Sequence, residues 1–261
     1  MYSDDRQLAP FRVQSEAWDQ RITFRVVEIL PEPMGHPVYQ DPGRQVYPLA
    51  DGIAAYYGGT TPYMRLEVRQ GETIAMVRRA SIPNRITITL VMEAFYLPKA
   101  LISRGSFILH SSYIQYKDRA ILFTAPSGTG KSTQADLWKA LRGARIINGD
   151  RSAVMPTETG VLVHGIPFCG SSKICENVTA ELAAIVVLDQ APQTTIQRLT
   201  GLKAFRKVWE GCTVDLWDRK ETTACTDLVL ETLRQVPVFY LACTPDESAV
   251  QAVERAILSL R

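Results

Sequence analysis

Read for its alternation of apolar and polar residues, the chain changes character near residue 100. Before it, short alternating runs predict strands over residues 22–30, 44–49, 63–69, 73–79 and 85–90. Gln70-Gly71 reads as a hairpin turn between two of them. Prolines and glycines over residues 31–43 mark a loop, and residues 1–20 read as a loosely held lead-in. Residues 90–103 have a helical pattern broken near Pro98. After it, strands are predicted over 107–116, 121–124, 144–147, 152–155, 161–164, 183–189, 195–199 and 236–242. Helices are predicted from Ser132 to Gly143 and over 202–208, 222–235 and 246–260. Strands alternating with helices predict an α/β core over residues 101–261, preceded by a mostly antiparallel β region over residues 1–100.

The junction of the strand at 121–124 with its following helix carries the most specific signal. Residues 125–132, Ala-Pro-Ser-Gly-Thr-Gly-Lys-Ser, follow the phosphate-binding P-loop pattern (Walker A), with alanine in the place of the first glycine. Such a loop turns successive N–H groups inward on a polyphosphate and aims a helix N-terminus at it. Gly128 and Gly130 let the backbone curl. Ser127, Gly128, Thr129, Gly130, Lys131, Ser132 and Thr133 are the expected nucleotide contacts. Lys131 would reach the terminal phosphates and the Ser132 hydroxyl would hold Mg²⁺. ATP and Mg²⁺ are thus the expected cofactors.

Composition narrows the partners. The 261 residues are 46% hydrophobic and 21% charged, with 29 basic and 27 acidic side chains for a net charge of +2. No basic patch points to nucleic acid. No apolar stretch is long enough to cross a membrane, and the first residues lack a signal-peptide core, so the expected location is the cytoplasm. Five scattered cysteines without a C-x-x-C spacing favour buried free thiols over zinc or a disulfide framework. Tyr56, Tyr57 and Tyr63 invite a base-stacking surface, but packing within strands accounts for them more simply.

Phosphoryl transfer further needs a carboxylate at the metal and a group that orients the acceptor. Asp150, after the apolar run at residues 145–147, is the expected second acid. His110 lies mid-strand in the segment paired with the loop-bearing strand, which brings it towards the loop. Lys131, Asp150 and His110 are the expected catalytic residues, and Ser132 with Asp150 the expected metal ligands. Lys173 and Arg151 are further candidates for phosphate contact, each with a plain reading as a solvated cation.

These residues resemble the HPr kinase/phosphorylase-like family. His110 stands before the loop at a similar spacing, residues 125–132 match the phosphate loop, and Asn148-Gly149-Asp150-Arg151 falls where the family has an Asp-Asp pair. Residues 161–165 resemble the segment that follows. The likeness covers residues 105–190. It implies the phosphoenolpyruvate carboxykinase type of P-loop α/β core, and an ATP- and Mg-dependent kinase acting on a hydroxyl, most simply serine of a peptide or protein. In that family one acid of the pair acts as base and the other helps hold metal. Here Gly149 replaces one of them, and His164 replaces an arginine. The chain therefore resembles a divergent member with another acceptor, not an HPr kinase proper. The N-terminal β region is the natural place for substrate recognition. A small-molecule kinase and a nucleotide-binding regulator without catalysis remain alternatives, as does a homo-oligomer. A phosphoenolpyruvate-forming decarboxylase would want a second metal site that the sequence does not suggest.

Overall fold

The computed structural model describes residues 8–14, 21–69, 71–82 and 96–259. By its internal contacts the chain forms two compact units, built mainly on Arg12–Ala100 and on Leu101–Arg261.

The first unit is a 6-stranded sheet in the order β1-β6-β5-β4-β3-β2. Its strands are β1 (Arg21–Val27), β2 (Tyr39–Gln40), β3 (Arg44–Leu49), β4 (Gly52–Tyr57), β5 (Met64–Arg69) and β6 (Glu72–Arg78). All neighbours run antiparallel except β1 and β6. β4 is absent from the sequence reading. Its Gly-Ile-Ala-Ala start has weak strand preference, but those residues fit where side-chain space is scarce. A Cβ at Gly52 would lie 2.1 Å from the Val68 carbonyl oxygen. Tyr56 and Tyr57 are buried, Tyr56 meets Tyr47 edge-on, and its hydroxyl donates to the Pro31 carbonyl. They are packing residues. The strand expected over 85–90 and the first six residues of the helix expected over 90–103 lie outside the described residues. What remains of that helix is α1 (Leu97–Ile102), with Pro98 in its first turn, where proline starts a helix instead of breaking it.

The second unit is built on a mixed 9-stranded sheet. In chain order it holds β7 (Phe107–Tyr116), β8 (Arg119–Thr124), α2 (Lys131–Arg142), β9 (Arg145–Asn148), β10 (Arg151–Thr157) and β11 (Gly160–Gly165). There follow β12 (Thr179–Gln190), β13 (Thr195–Leu199), α3 (Gly201–Trp209), β14 (Cys212–Thr213), α4 (Arg219–Gln235), β15 (Val238–Cys243) and α5 (Glu247–Leu258). The order is β11-β10-β7-β8-β12-β15-β13, with β9 and β14 also paired to β7. The centre, β8-β12-β15, is parallel, and β7 joins β8 as an antiparallel hairpin through Lys117-Asp118, both at positive φ.

Helices cover both faces. Leu109, Leu122, Val187, Val208 and Val229 form the core under α3 and α4. Ile114, Phe123, Trp138, Val186 and Val250 form the core under α2 and α5. That is why β12 reads as an unbroken apolar run: a strand covered on both sides has no solvent face to mark with polar residues. The chain thus has an α/β fold. The parallel strands end together at Thr124, Gln190 and Cys243, and the glycine-containing loop leaves from Thr124.

Candidate functional site

The loop at residues 125–130 links β8 to α2. Gly128 and Gly130 have φ of 80° and 111°, with open space where a Cβ would stand, so the need for glycine is conformational and not steric. Ala125 is not among the residues at positive φ, so alanine is compatible with its backbone. Asp218 and Asp246 cap α4 and α5 by accepting backbone N–H bonds, whereas no side chain caps α2. The first-turn N–H groups of α2 are thereby left without a protein side-chain acceptor. Lys131 opens that turn with 8% relative exposure, and its Nζ donates to the carbonyls of Ala125 (2.9 Å) and Pro126 (3.2 Å). Burial pushes the Lys131 ammonium below its ordinary pKa, while the Asp150 charge works against that shift. Ser127, Gly128, Ser132 and Thr133 are exposed around it, and the Thr129 hydroxyl donates to Pro126.

His110 and Asp150 meet beside this loop. The pairing of Ser111 with Thr124 carries His110 to the loop-bearing end of β8, where the Thr124 hydroxyl donates to the His110 carbonyl. On the other edge of β7, His110 is directly opposite Arg151, so the two side chains share a sheet face. With Ile114 four residues along the same strand, that face is the one covered by α2. His110 Nε2 lies 3.2 Å from Asp150 Oδ1, and Arg151 Nε 3.4 Å from Asp150 Oδ2. The His110 hydrogen bond leads in holding the Asp150 carboxyl below the usual carboxylate range, helped by the charges of Arg151 and Lys131 against the effect of burial. Asp150 is thus ionised at neutral pH and electrostatically linked to Lys131. It sits in a two-residue break between β9 and β10, opposite Ser111, to whose N–H its carbonyl is bonded.

Asn148 shapes that break. Fully buried, it accepts from the N–H groups of Asp150 (2.9 Å) and Arg151 (3.0 Å) and donates to the Ile166 carbonyl (2.7 Å). A short turn, Gly170–Ser172, closes over Gly149 and Asp150. A Cβ on Gly170 would fall 2.9 Å from Asp150 Cβ and Cγ, and one on Gly149 would fall 2.2 Å from Ser172 Oγ. Gly149 is therefore glycine for a packing reason. Neither Asn148 nor the Gly170 contact could be read from sequence, because both depend on a segment about 20 residues away folding back.

One residue flagged by sequence falls elsewhere. His164 bonds Thr179 across the β11–β12 pair. Lys173 is exposed at φ 55°, ending the short turn. A rival acid, Asp189, is the next-to-last residue of the apolar strand β12, next to β8. Its carboxylate accepts from the Tyr240 hydroxyl and the Gln190 N–H on the face under α3 and α4. Of the two, Asp150 is the acid that senses Lys131; the lysine charge that acts on Asp189 is Lys207. On the far flank of the loop an open cleft of about 580 Å³ is lined by Gly128, Gly130, Thr133, Leu188, Asp189 and Thr244, among others.

For a magnesium ion the donors fit by chemistry. A carboxylate and a serine hydroxyl are the hard oxygen ligands it takes, and it draws the remainder from water and substrate phosphate. Among the described residues no cluster of three or more His, Cys, Asp or Glu could hold a metal without such help. No helix among them is long and apolar enough to cross a membrane.

No protein-family model matches the chain, and no curated protein matches it in sequence. Among solved structures, the Hpr(Ser) kinase/phosphatase from Coxiella burnetii is similar over 59% of this chain and 92% of that one. The TM-score is 0.35 and the identity 10%, a likeness too distant to decide fold details or activity.

Proposed function

We propose that this protein is an ATP- and Mg²⁺-dependent kinase that transfers the γ-phosphate to a hydroxyl, most simply serine of a peptide or protein. The observation that carries the reading is the cluster itself: a buried lysine at an uncapped helix N-terminus, electrostatically linked to an ionised aspartate that a histidine holds. The phosphates lie on residues 125–132, where N–H groups and Lys131 neutralise them. The nucleoside occupies the cleft beyond Gly128 and Thr133. Ser132 and Asp150 hold the metal ion, which supplies charge neutralisation on the phosphates. His110 or Asp150 takes the proton of the attacking hydroxyl, and the contact between them orients that base and stabilises its protonated form. Gly149 stands where the resembled family has an acid. Its contact with Ser172 gives a packing reason for glycine there, which weakens the case for a regulator that lost catalysis.

The test is transfer of labelled γ-phosphate from ATP–Mg²⁺, offering serine, threonine, short serine peptides and a cell extract, with Lys131→Ala as the blank. Label on an acceptor that disappears with Lys131→Ala supports the proposal and names the acceptor class. Tight nucleotide binding with no transfer to any of them argues for the regulator.

A further inference from the structure

The cluster contains a second cation that the mechanism above leaves idle. Arg151 opens β10 directly across from His110, on the same sheet face, next to the acid that senses Lys131. Were it a solvated surface arginine, its side chain would be extended into water. Instead it is 34% exposed, and its guanidinium lies 5.1 Å over the Phe168 ring. An arginine stacked this way is fixed in plane and loses little freedom when it takes up a ligand.

Its bonding is incomplete. The contact with Asp150 is a 3.4 Å approach, and Nε is enclosed without a hydrogen-bond partner. Asp150 draws its main support from His110, not from Arg151. A guanidinium has five N–H donors in a planar fork that suits carboxylate or phosphate oxygens. Here the fork is held beside a site whose other cation, Lys131, is tied to the loop carbonyls.

Resting on the kinase reading, we propose that Arg151 is a catalytic residue that binds the terminal phosphoryl group of the nucleotide, with Phe168 holding its guanidinium in place. Lys131 and the loop N–H groups then serve the phosphates common to ATP and ADP, while Arg151 serves the group that is transferred. During transfer, negative charge spreads over the oxygens of that group, where a fixed bidentate donor is most effective.

The experiment compares two ligands on the full-length protein with Mg²⁺: the non-hydrolysable β,γ-imido analogue of ATP, and ADP. Arg151→Gln should weaken the ATP analogue by about ten- to a hundredfold, the range for hydrogen bonds to a charged group, and leave ADP within about twofold. Lys131→Ala should weaken both. Phe168→Leu should show the Arg151→Gln pattern in milder form. In the transfer assay, added guanidinium ion should restore part of the activity of Arg151→Ala and none of that of Lys131→Ala.

Equal weakening of both ligands by Arg151→Gln, or no weakening of either, overturns the proposal. If wild-type protein binds neither ligand, the kinase reading itself fails and takes this one with it. Circular dichroism and melting of Arg151→Gln guard against misfolding, and Arg151→Lys, which keeps the charge without the fork, should lie between wild type and Arg151→Gln.

Discussion

Gly149→Ala is the most informative single change, because sequence and structure assign that glycine different meanings. Read from sequence, it is the place of a missing acid. In the structure its Cα faces Ser172, and an added Cβ would lie 2.2 Å from Ser172 Oγ and 2.6 Å from Ser172 Cβ. Gly149 is not at positive φ, so no backbone strain adds to the contact. Ser172 cannot swing aside freely. It donates to the Cys169 carbonyl at 2.7 Å and accepts from the Ile174 N–H at 3.2 Å. Forcing the methyl in costs about 1–3 kcal/mol as over-packing. Releasing Ser172 instead gives up two hydrogen bonds of about 0.5–1.5 kcal/mol each, so both routes reach a similar total. The assay is urea unfolding followed by tryptophan fluorescence, since Trp138, Trp209 and Trp217 belong to the second unit. The same alanine on a Ser172→Gly background should cost less than about 0.5 kcal/mol. An equal cost on both backgrounds, or no cost in the wild-type background, refutes the packing account of Gly149.

Three further outcomes follow from the same geometry. Asn148→Ala should destabilise the second unit by about 2–4 kcal/mol, because it leaves two backbone N–H groups and a carbonyl unpaired in the interior; a urea midpoint near wild type would contradict this. Asp150 has a folded-state pKa below its ordinary 3.8. A depressed carboxylate contributes stability above its unfolded pKa and loses it as pH falls through the folded one. The stability deficit of Asp150→Asn should therefore be full at neutral pH and shrink below about pH 4, and urea midpoints across the acid range would show it. Asp150→Asn should also lower phosphate transfer by about a hundredfold or more while changing nucleotide affinity far less; full turnover would remove Asp150 from the mechanism.

Much of this was legible in the chain. The loop at residues 125–132 and the strand and helix flanking it were readable because glycine spacing and an apolar run are local signals. His110 was readable only through topology: a hairpin closed by Lys117-Asp118 had to place it near the loop, and the Ser111–Thr124 pairing does so. β4 was missed because alanines and a glycine suit a tight approach to β5 that no local preference reports. The enclosure of Asp150 was not legible at all. Asn148 bonds its N–H, Gly170 packs on it from a returning segment, and Phe168 of that segment stacks on its neighbour Arg151; their residue types say nothing of that by themselves. Asp189, which the sequence analysis did not single out, closes an apolar run on the strand beside the loop-bearing one. Register puts its side chain on the other face of the sheet, with Val187 and Tyr240.

The claim on which all else depends is that residues 125–132 hold the phosphates of a nucleotide through Lys131. Calorimetric titration of the full-length protein with ATP and Mg²⁺, beside Lys131→Ala, tests it most directly. Saturable binding in the wild type, weakened about ten- to a hundredfold or more in Lys131→Ala while the variant melts close to wild type, is the result expected. No binding, or an affinity unchanged by Lys131→Ala, would contradict it.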